Sequence, residues 1–352
     1  MVFMKAMKLQ EFGKPLQLME SDLPQVLDNN VLVKVDACGV CHSDIHLAEG
    51  YYGAREEERL VIRDRRIRLP LTLGHEIAGR IEAKGRAVSA FEVGDTVVVY
   101  PWIGCGVCRA CRAGFDNLCE RPNALGVYAD GGYAEYVLVP DPRYVLKYDG
   151  LKPEEAGVLA CSGITALHAL KKARVAPDDV LAIIGAGGVG GMAIQLAKAL
   201  SGATIVSLDI DDRKLEYAKS LGADFTINSS KDDIGAVMKQ ALGKRANAVI
   251  DFVGSTQTVE NAVKILVKGG RLVVVGLFGG ILKMQIPLLP ILALDIVGSY
   301  TGTLTDLNEI LQLTNRGVVK PVISTSFRLE EANEALAKLR SGEVKGRAVI
   351  KP

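Results

Sequence analysis

Excess charge of either sign is missing from this chain: 42 lysines and arginines stand against 41 aspartates and glutamates, a formal net charge of +1 over 352 residues. That excludes the strong positive field with which a protein grips nucleic acid or an anionic membrane. No leader is evident, since Met1-Val2-Phe3-Met4-Lys5 has no basic segment followed by an apolar core. No membrane span is expected either. The run Val180–Ala197 is uncharged, but it holds five glycines and a glutamine and divides into a short strand, a turn and a helix. Seven cysteines, an odd number in a long chain, argue against a disulfide framework. Six of them stand at metal-like spacings, and thiolate ligands must stay reduced, so a cytoplasmic location is expected. Histidine is scarce. Of four in the chain, three (His42, His46 and His75) fall in two short stretches.

What is present fits a globular protein of two domains, with 49% hydrophobic and 24% charged residues. Residues 1–162 read as β-rich, because short alternating segments such as Val31–Val35, Ile77–Ala83, Thr96–Tyr100 and Tyr133–Val139 recur between glycines and prolines. A charged insertion, Arg55–Arg68, interrupts them and reads as a solvated surface loop, with a subunit contact or a lid as the alternative.

The most specific short signal is Cys105-x2-Cys108-x2-Cys111-x7-Cys119. Four thiolates so spaced close a tetrahedral shell around zinc and leave no open position, so the expected role is structural. The gap of seven before Cys119, and Glu120 after it, do not match the iron–sulfur run. A second set begins at Cys41-His42-Ser43-Asp44-Ile45-His46 and continues at Gly74-His75-Glu76. Cys41 offers a thiolate and His75 a neutral imidazole, while Asp44 is suited to orient that ring. Glu76, beside the ligand, would tune the metal or replace a ligand transiently. Catalytic zinc usually keeps three protein ligands and one open place. Apart from Cys38, read as packed core, the unassigned thiol is Cys161; Glu76 and Glu155 remain alternatives for the third ligand.

Residues 163–299 carry a nucleotide fingerprint. The apolar strand Leu181–Ile184 runs into Gly185-Ala186-Gly187-Gly188-Val189-Gly190, an amphipathic helix follows, and a further strand ends at Asp209, about 20 residues past the last glycine. The glycines admit a pyrophosphate to a helix N-terminus. Asp209 would bond the adenosine ribose and repel a 2′-phosphate, which favours NAD over NADP, although Arg213 and Lys214 keep the alternative open. Further strands near 224–227, 248–251, 272–275 and 295–299, with helices between, predict a doubly wound parallel sheet. Residues 300–352 are predicted to hold two helices and a closing strand, Lys345–Ile350, that returns to the first domain; its Arg347 is a candidate for reaching the pyrophosphate, with a surface position as the alternative.

Taken together, Cys41, Ser43, Asp44, His46, Gly74-His75-Glu76, the four-cysteine lobe, Cys161 and the glycine turn resemble the zinc-dependent alcohol dehydrogenases of the medium-chain dehydrogenase/reductase superfamily, over essentially the whole chain. The resemblance implies an α/β protein, with a GroES-like β-rich catalytic domain and a Rossmann doubly wound parallel sheet. It implies two zinc ions per subunit, NAD, and an alcohol, aldehyde or ketone as substrate. It also implies a homo-oligomer, a tetramer in preference to a dimer. Thr165 and Lys214 match cofactor contacts, Leu277 a nicotinamide-side position and Trp102 a pocket wall. Ser43 and His46 would carry the proton away from the substrate. A polyol, sugar or threonine dehydrogenase on the same scaffold is the rival reading, and a non-catalytic zinc- and NAD-binding protein a further one. Cys161, where those relatives tend to use Glu, favours simple alcohols. The charged insertion before His75 departs from the family pattern.

Overall fold

The computed structural model describes residues 3–53, 56–62 and 66–352. Of the charged insertion, Arg55, Arg63, Asp64 and Arg65 lie outside the described residues, as do Met1 and Val2. Five strands from the first half of the chain and two from its end build a seven-stranded sheet around the strand Val31–Val40. That strand pairs antiparallel with Glu76–Lys84, with Tyr136–Val139 and with Arg347–Lys351, so residues far apart in sequence share one layer. The pairing sets the site. Gly39 stands opposite Glu76 and Cys38 opposite Ile77. Cys41, just past the end of one strand, therefore meets His75, just before the start of the other.

A helical run from Pro153 to Ala173 leads out of this sheet. Its middle, Leu159–Gly163, is a buried π-turn carrying Cys161. Such turns leave a backbone carbonyl without its usual partner and recur at functional sites. Here the carbonyl of Ala160 accepts the indole N–H of Trp102 at 3.2 Å.

The second sheet has six strands in the spatial order Phe225–Asn228, Thr204–Asp209, Val180–Ile184, Ala246–Asp251, Leu266–Val274, Asp295–Gly298. All are parallel. The strand Val180–Ile184 is buried throughout, as a parallel strand covered on both faces must be. The order reverses beside it, and this crevice is where a nucleotide binds in such sheets. The uncharged run at 180–197 is divided as expected, into that strand and the helix Gly188–Leu200. Among the described residues no helix is long and apolar enough to cross a membrane.

One apolar cluster runs through both halves, from Val33 and Ile77 through Leu159 and Ile164 to Ile183 and Leu307. Arg347–Lys351 lies between Val31–Val40 and Ile323–Arg328, which carries the final residues into the first sheet.

Candidate active site

Two groups of metal-binding side chains converge. The sulfurs of Cys105, Cys108, Cys111 and Cys119 all lie within 4.8 Å of one another. Cys108 Sγ is 3.5 Å from Cys111 Sγ and 4.0 Å from Cys119 Sγ. A tetrahedron with zinc–sulfur bonds of about 2.3 Å has edges of about 3.8 Å, whereas a disulfide would bring two sulfurs to about 2 Å. The four thiols are unpaired. Backbone N–H groups of Cys105 and Arg121 point at Cys119 Sγ, at 3.1 and 3.3 Å. Hydrogen bonds from the backbone of Cys111 and Glu120 pull the Cys108 thiol down to about 6. Burial acts the other way at two of the four, pushing the Cys111 thiol up to about 12 and the Cys119 thiol up as well, so it is the spacing of the four sulfurs that fits zinc with a closed shell.

The second group is Cys41, His75, Glu76 and Cys161, all buried, with one donor atom from each inside the same 4.8 Å limit. Cys41 caps the helix His42–Glu49. Asp44, fully buried at the third position of that helix, accepts the Cys41 N–H at 2.9 Å, the Gly74 N–H at 3.3 Å and His75 Nδ1 at 3.1 Å. The Asp44 bond holds a proton on Nδ1, which leaves Nε2 as the free lone pair of the ring. That Nε2 is buried without a hydrogen-bond partner, as is Glu76 Oε2. Buried polar atoms left so are expensive unless a ligand completes them. The hydrogen bond from Cys161, aided by His75 against the opposing effect of burial, pulls the Cys41 thiol well below its ordinary range. A thiolate, an imidazole lone pair and a second thiol aimed at one point suit zinc.

Glu76 belongs to this group and Glu155 does not. The Glu155 carboxylate accepts the backbone N–H of Lys152 and caps the helix Pro153–Val158. Burial, against the charge of Arg347, pushes the Glu76 carboxyl up to about 7. Arg347 stands between this group and the glycine turn. Its guanidinium is buried and donates to Glu76 Oε1. Its aliphatic stem lies against Gly188, where an added Cβ would stand 2.5 Å from Arg347 Cδ. The residue thus joins the metal-ligand cluster to the glycine turn.

In that turn Gly185 has φ +93°, and a Cβ on Gly190 would meet the Gly185 carbonyl at 1.8 Å, so the chain can bend sharply into the helix only with glycine there. Val189 lies in the first turn of the helix begun by Gly188, with Gly187 as its cap. Asp209 ends the neighbouring strand and accepts the N–H of Ala186 at 2.8 Å. Lys214 lines a crevice with Ala186, Gly187, Asp211 and Tyr217, bounded opposite by the loop from Gly342 to Gly346. Arg213 is held by Asp211, with Nη2 2.8 Å from Oδ2. Thr165 is buried in the first turn of the helix Ile164–Ala173, four residues past Cys161.

Ser43 and His46 stand at i and i+3 on the helix His42–Glu49, neighbours on one face. The His46 ring packs against Tyr52 with centroids 5.1 Å apart, and burial holds it below the ordinary imidazole range. Trp102 lines a cavity of about 340 Å³, its ring 5.4 Å from that of His75 and 5.7 Å from that of Tyr300. The cavity wall is mainly apolar and includes Leu277, Tyr300, Tyr128 and, from the charged insertion, Leu60, Ile62 and Ile67. The insertion is therefore more than a solvated loop. Its charges hid the buried Ile62 and the half-buried Ile67. Tyr52, Tyr300 and Tyr133 also escaped the sequence reading, because no local spacing ties them to the ligands.

Comparison with known proteins agrees with this arrangement. Residues 27–150 match the family described as the alcohol dehydrogenase GroES-like domain, and residues 188–316 match that described as zinc-binding dehydrogenase. A NAD-dependent alcohol dehydrogenase of Sulfurisphaera tokodaii is 45% identical over 351 residues, covering 99% of this chain and 100% of that one. The crystal structure of the alcohol dehydrogenase from Aeropyrum pernix superposes with a TM-score of 0.90 at 36% identity, over 99% of this chain and 100% of that one. A D-arabinose 1-dehydrogenase (NADP(+)) of Saccharolobus solfataricus is 33% identical over 357 residues, covering 100% of this chain and 99% of that one. The chain belongs to the zinc-dependent alcohol dehydrogenases of the medium-chain dehydrogenase/reductase superfamily, with a GroES-like domain and a Rossmann sheet. Its reaction is the NAD-linked interconversion of alcohols with aldehydes or ketones by hydride transfer.

Proposed function

We propose that each subunit holds two zinc ions, one between Cys41, His75 and Cys161 and one in the four-cysteine lobe, and that simple primary or secondary alcohols react beside the first. When bound, that ion supplies a Lewis acid which favours loss of the alcohol proton, and the nicotinamide accepts the hydride. The chain supplies the rest. Asp44 holds the His75 ring in place. Glu76, with one oxygen on Arg347 and the other unpartnered, stands ready to approach the ion when a ligand exchanges. Ser43 passes the substrate proton toward His46, whose neutral ring accepts it near the surface. Gly185, Gly187, Gly188, Val189 and Gly190 form the pyrophosphate cradle, with the stem of Arg347 against it. Asp209 takes the adenosine ribose, with Lys214 beside it. Thr165 and Leu277 border the nicotinamide end. Asp209, together with the capture of Arg213 by Asp211, supports NAD in preference to NADP.

We read the chain as a catalytic domain over 1–162, a nucleotide domain over 163–299 and a return over 300–352, supported by the pairing of Arg347–Lys351 with Val31–Val40. A homo-oligomer, a tetramer by family resemblance, is supported by the exposed apolar side chains of Phe278, Ile281, Leu282, Ile286 and Ile291 near the outer strand Asp295–Gly298. Seven unpaired cysteines suit a reducing cytoplasm.

The observation that carries this reading is the convergence of four buried donor atoms next to an apolar cavity. The test is a metal count with a substrate panel. Two zinc per chain are expected, one of them removed by chelator together with activity. NADH should form faster with ethanol, longer primary alcohols or secondary alcohols than with sorbitol or D-arabinose. A single tightly held zinc, or a preference for the sugars, would overturn it.

A further inference from the structure

Tyr133 is a fully buried residue with no part in the scheme above. Its hydroxyl donates to Asp44 Oδ2 at 2.9 Å. Asp44 thereby accepts four hydrogen bonds, two on each oxygen: His75 Nδ1 and the Gly74 N–H on Oδ1, the Cys41 N–H and the Tyr133 hydroxyl on Oδ2. The phenol is the one donor of the four that belongs to neither ligand stretch. It fixes the rotation of the carboxylate about the helix cap, so that Oδ1 faces the imidazole. Tyr133 is itself held firmly. Its N–H donates to the Leu73 carbonyl at 3.0 Å and its carbonyl accepts the Met7 N–H at 2.8 Å. Its ring lies over Gly74, where an added Cβ would come within 2.4 Å of Tyr133 Cδ1. The glycine before His75 is thus the space into which this ring packs.

We infer that Tyr133 is a positioning residue for the zinc held by Cys41, His75 and Cys161, acting through Asp44 on the orientation of His75; this rests on the metal site proposed above. Outer partners of metal-binding histidines typically change metal affinity or activity 10- to 100-fold. Tyr133 stands one bond further out, so the lower end of that range applies.

The test uses Tyr133→Phe, which removes only the oxygen, in the zinc-loaded enzyme. Zinc release to a chelator from the Cys41 site should quicken about tenfold, while the ion of the four-cysteine lobe stays in place. Replacing the catalytic ion by cobalt should give visible bands shifted from those of the native protein. Tyr100→Phe is the comparison, since it removes another buried phenol, one that donates to the Gly302 carbonyl at 2.8 Å. It should lower stability without altering release. In an Asp44→Asn background, Tyr133→Phe should add nothing, because the effect passes through the carboxylate. Unchanged or slower release, equal acceleration by Tyr100→Phe, or full additivity with Asp44→Asn would each overturn the inference. If the native protein itself held no ion outside the lobe, the metal site would fail first, which separates the two failures.

Discussion

Around the zinc-binding cluster single atoms leave little slack. A methyl group on Gly39 would lie 1.9 Å from Glu76 Oε2, so the carboxylate occupies the space that a side chain there would need. Gly39→Ala should therefore displace Glu76 and cost about 2 kcal/mol by overpacking, read by denaturant titration, with turnover falling in the fully folded fraction. Ser43→Ala should lower turnover about a hundredfold, as loss of a positioned proton carrier does. Zinc content and NADH affinity, by metal analysis and fluorescence titration, should stay unchanged; a near-normal rate would refute the relay. At this scale the sequence was legible where ligands cluster locally. Cys41, Asp44 and His75 announce themselves by type and spacing. Tyr133 does not, because its partner lies 89 residues away and tyrosine in a β segment reads as ordinary packing. Arg347 was visible as a nearby cation, but the direction of its head group depends on Glu76, 271 residues distant.

Whole elements divide the same way. The six parallel strands and the glycine turn were readable because apolar runs, glycines and an acidic residue recur in a fixed order. The π-turn Leu159–Gly163 was not, since nothing in Leu-Ala-Cys-Ser-Gly differs from an ordinary helix; Trp102, which bonds its carbonyl, acts from another segment. Nor did the insertion disclose its inward residues Ile62 and Ile67, because arginines and glutamates dominate its composition. The four-cysteine lobe is an element with a small core of its own, exposing Val107, Phe115 and Leu118. Cys108→Ser should release the zinc proposed for it and lower the melting temperature by several degrees. The rate per folded active site should hold near normal, and assay below the new transition checks this.

Across the whole molecule, the helices Ile164–Ala173 and Leu304–Asn315 are tied by Asp306, which meets His168 Nδ1 at 2.8 Å and Lys171 Nζ at 2.7 Å. Burial opposes its ionisation, but hydrogen bonds from His168, Lys171 and Thr303 outweigh it and hold the carboxyl well below the usual carboxylate range. A carboxylate so depressed stabilises the fold fully above its unfolded pKa, about 3.9, and progressively less as pH falls below it. Asp306→Asn should thus cost about 2 kcal/mol at neutral pH. The gap from the native protein should narrow below about pH 4, measured by chemical denaturation across that range. A gap that widens on acidification would contradict the sign.

The strand that carries Arg347 has a consequence for how the protein is born. Val31–Val40 leaves the ribosome early, yet its neighbour Arg347–Lys351 emerges hundreds of residues later. The nucleotide-binding sheet, contiguous from Val180 to Gly298, is synthesised whole before then. During translation Glu76 lacks its counter-charge, and a buried carboxylate without one is costly. The pairing of Val31–Val40 with Arg347–Lys351, and with it the Glu76–Arg347 contact, can therefore form only after Arg347 has been made.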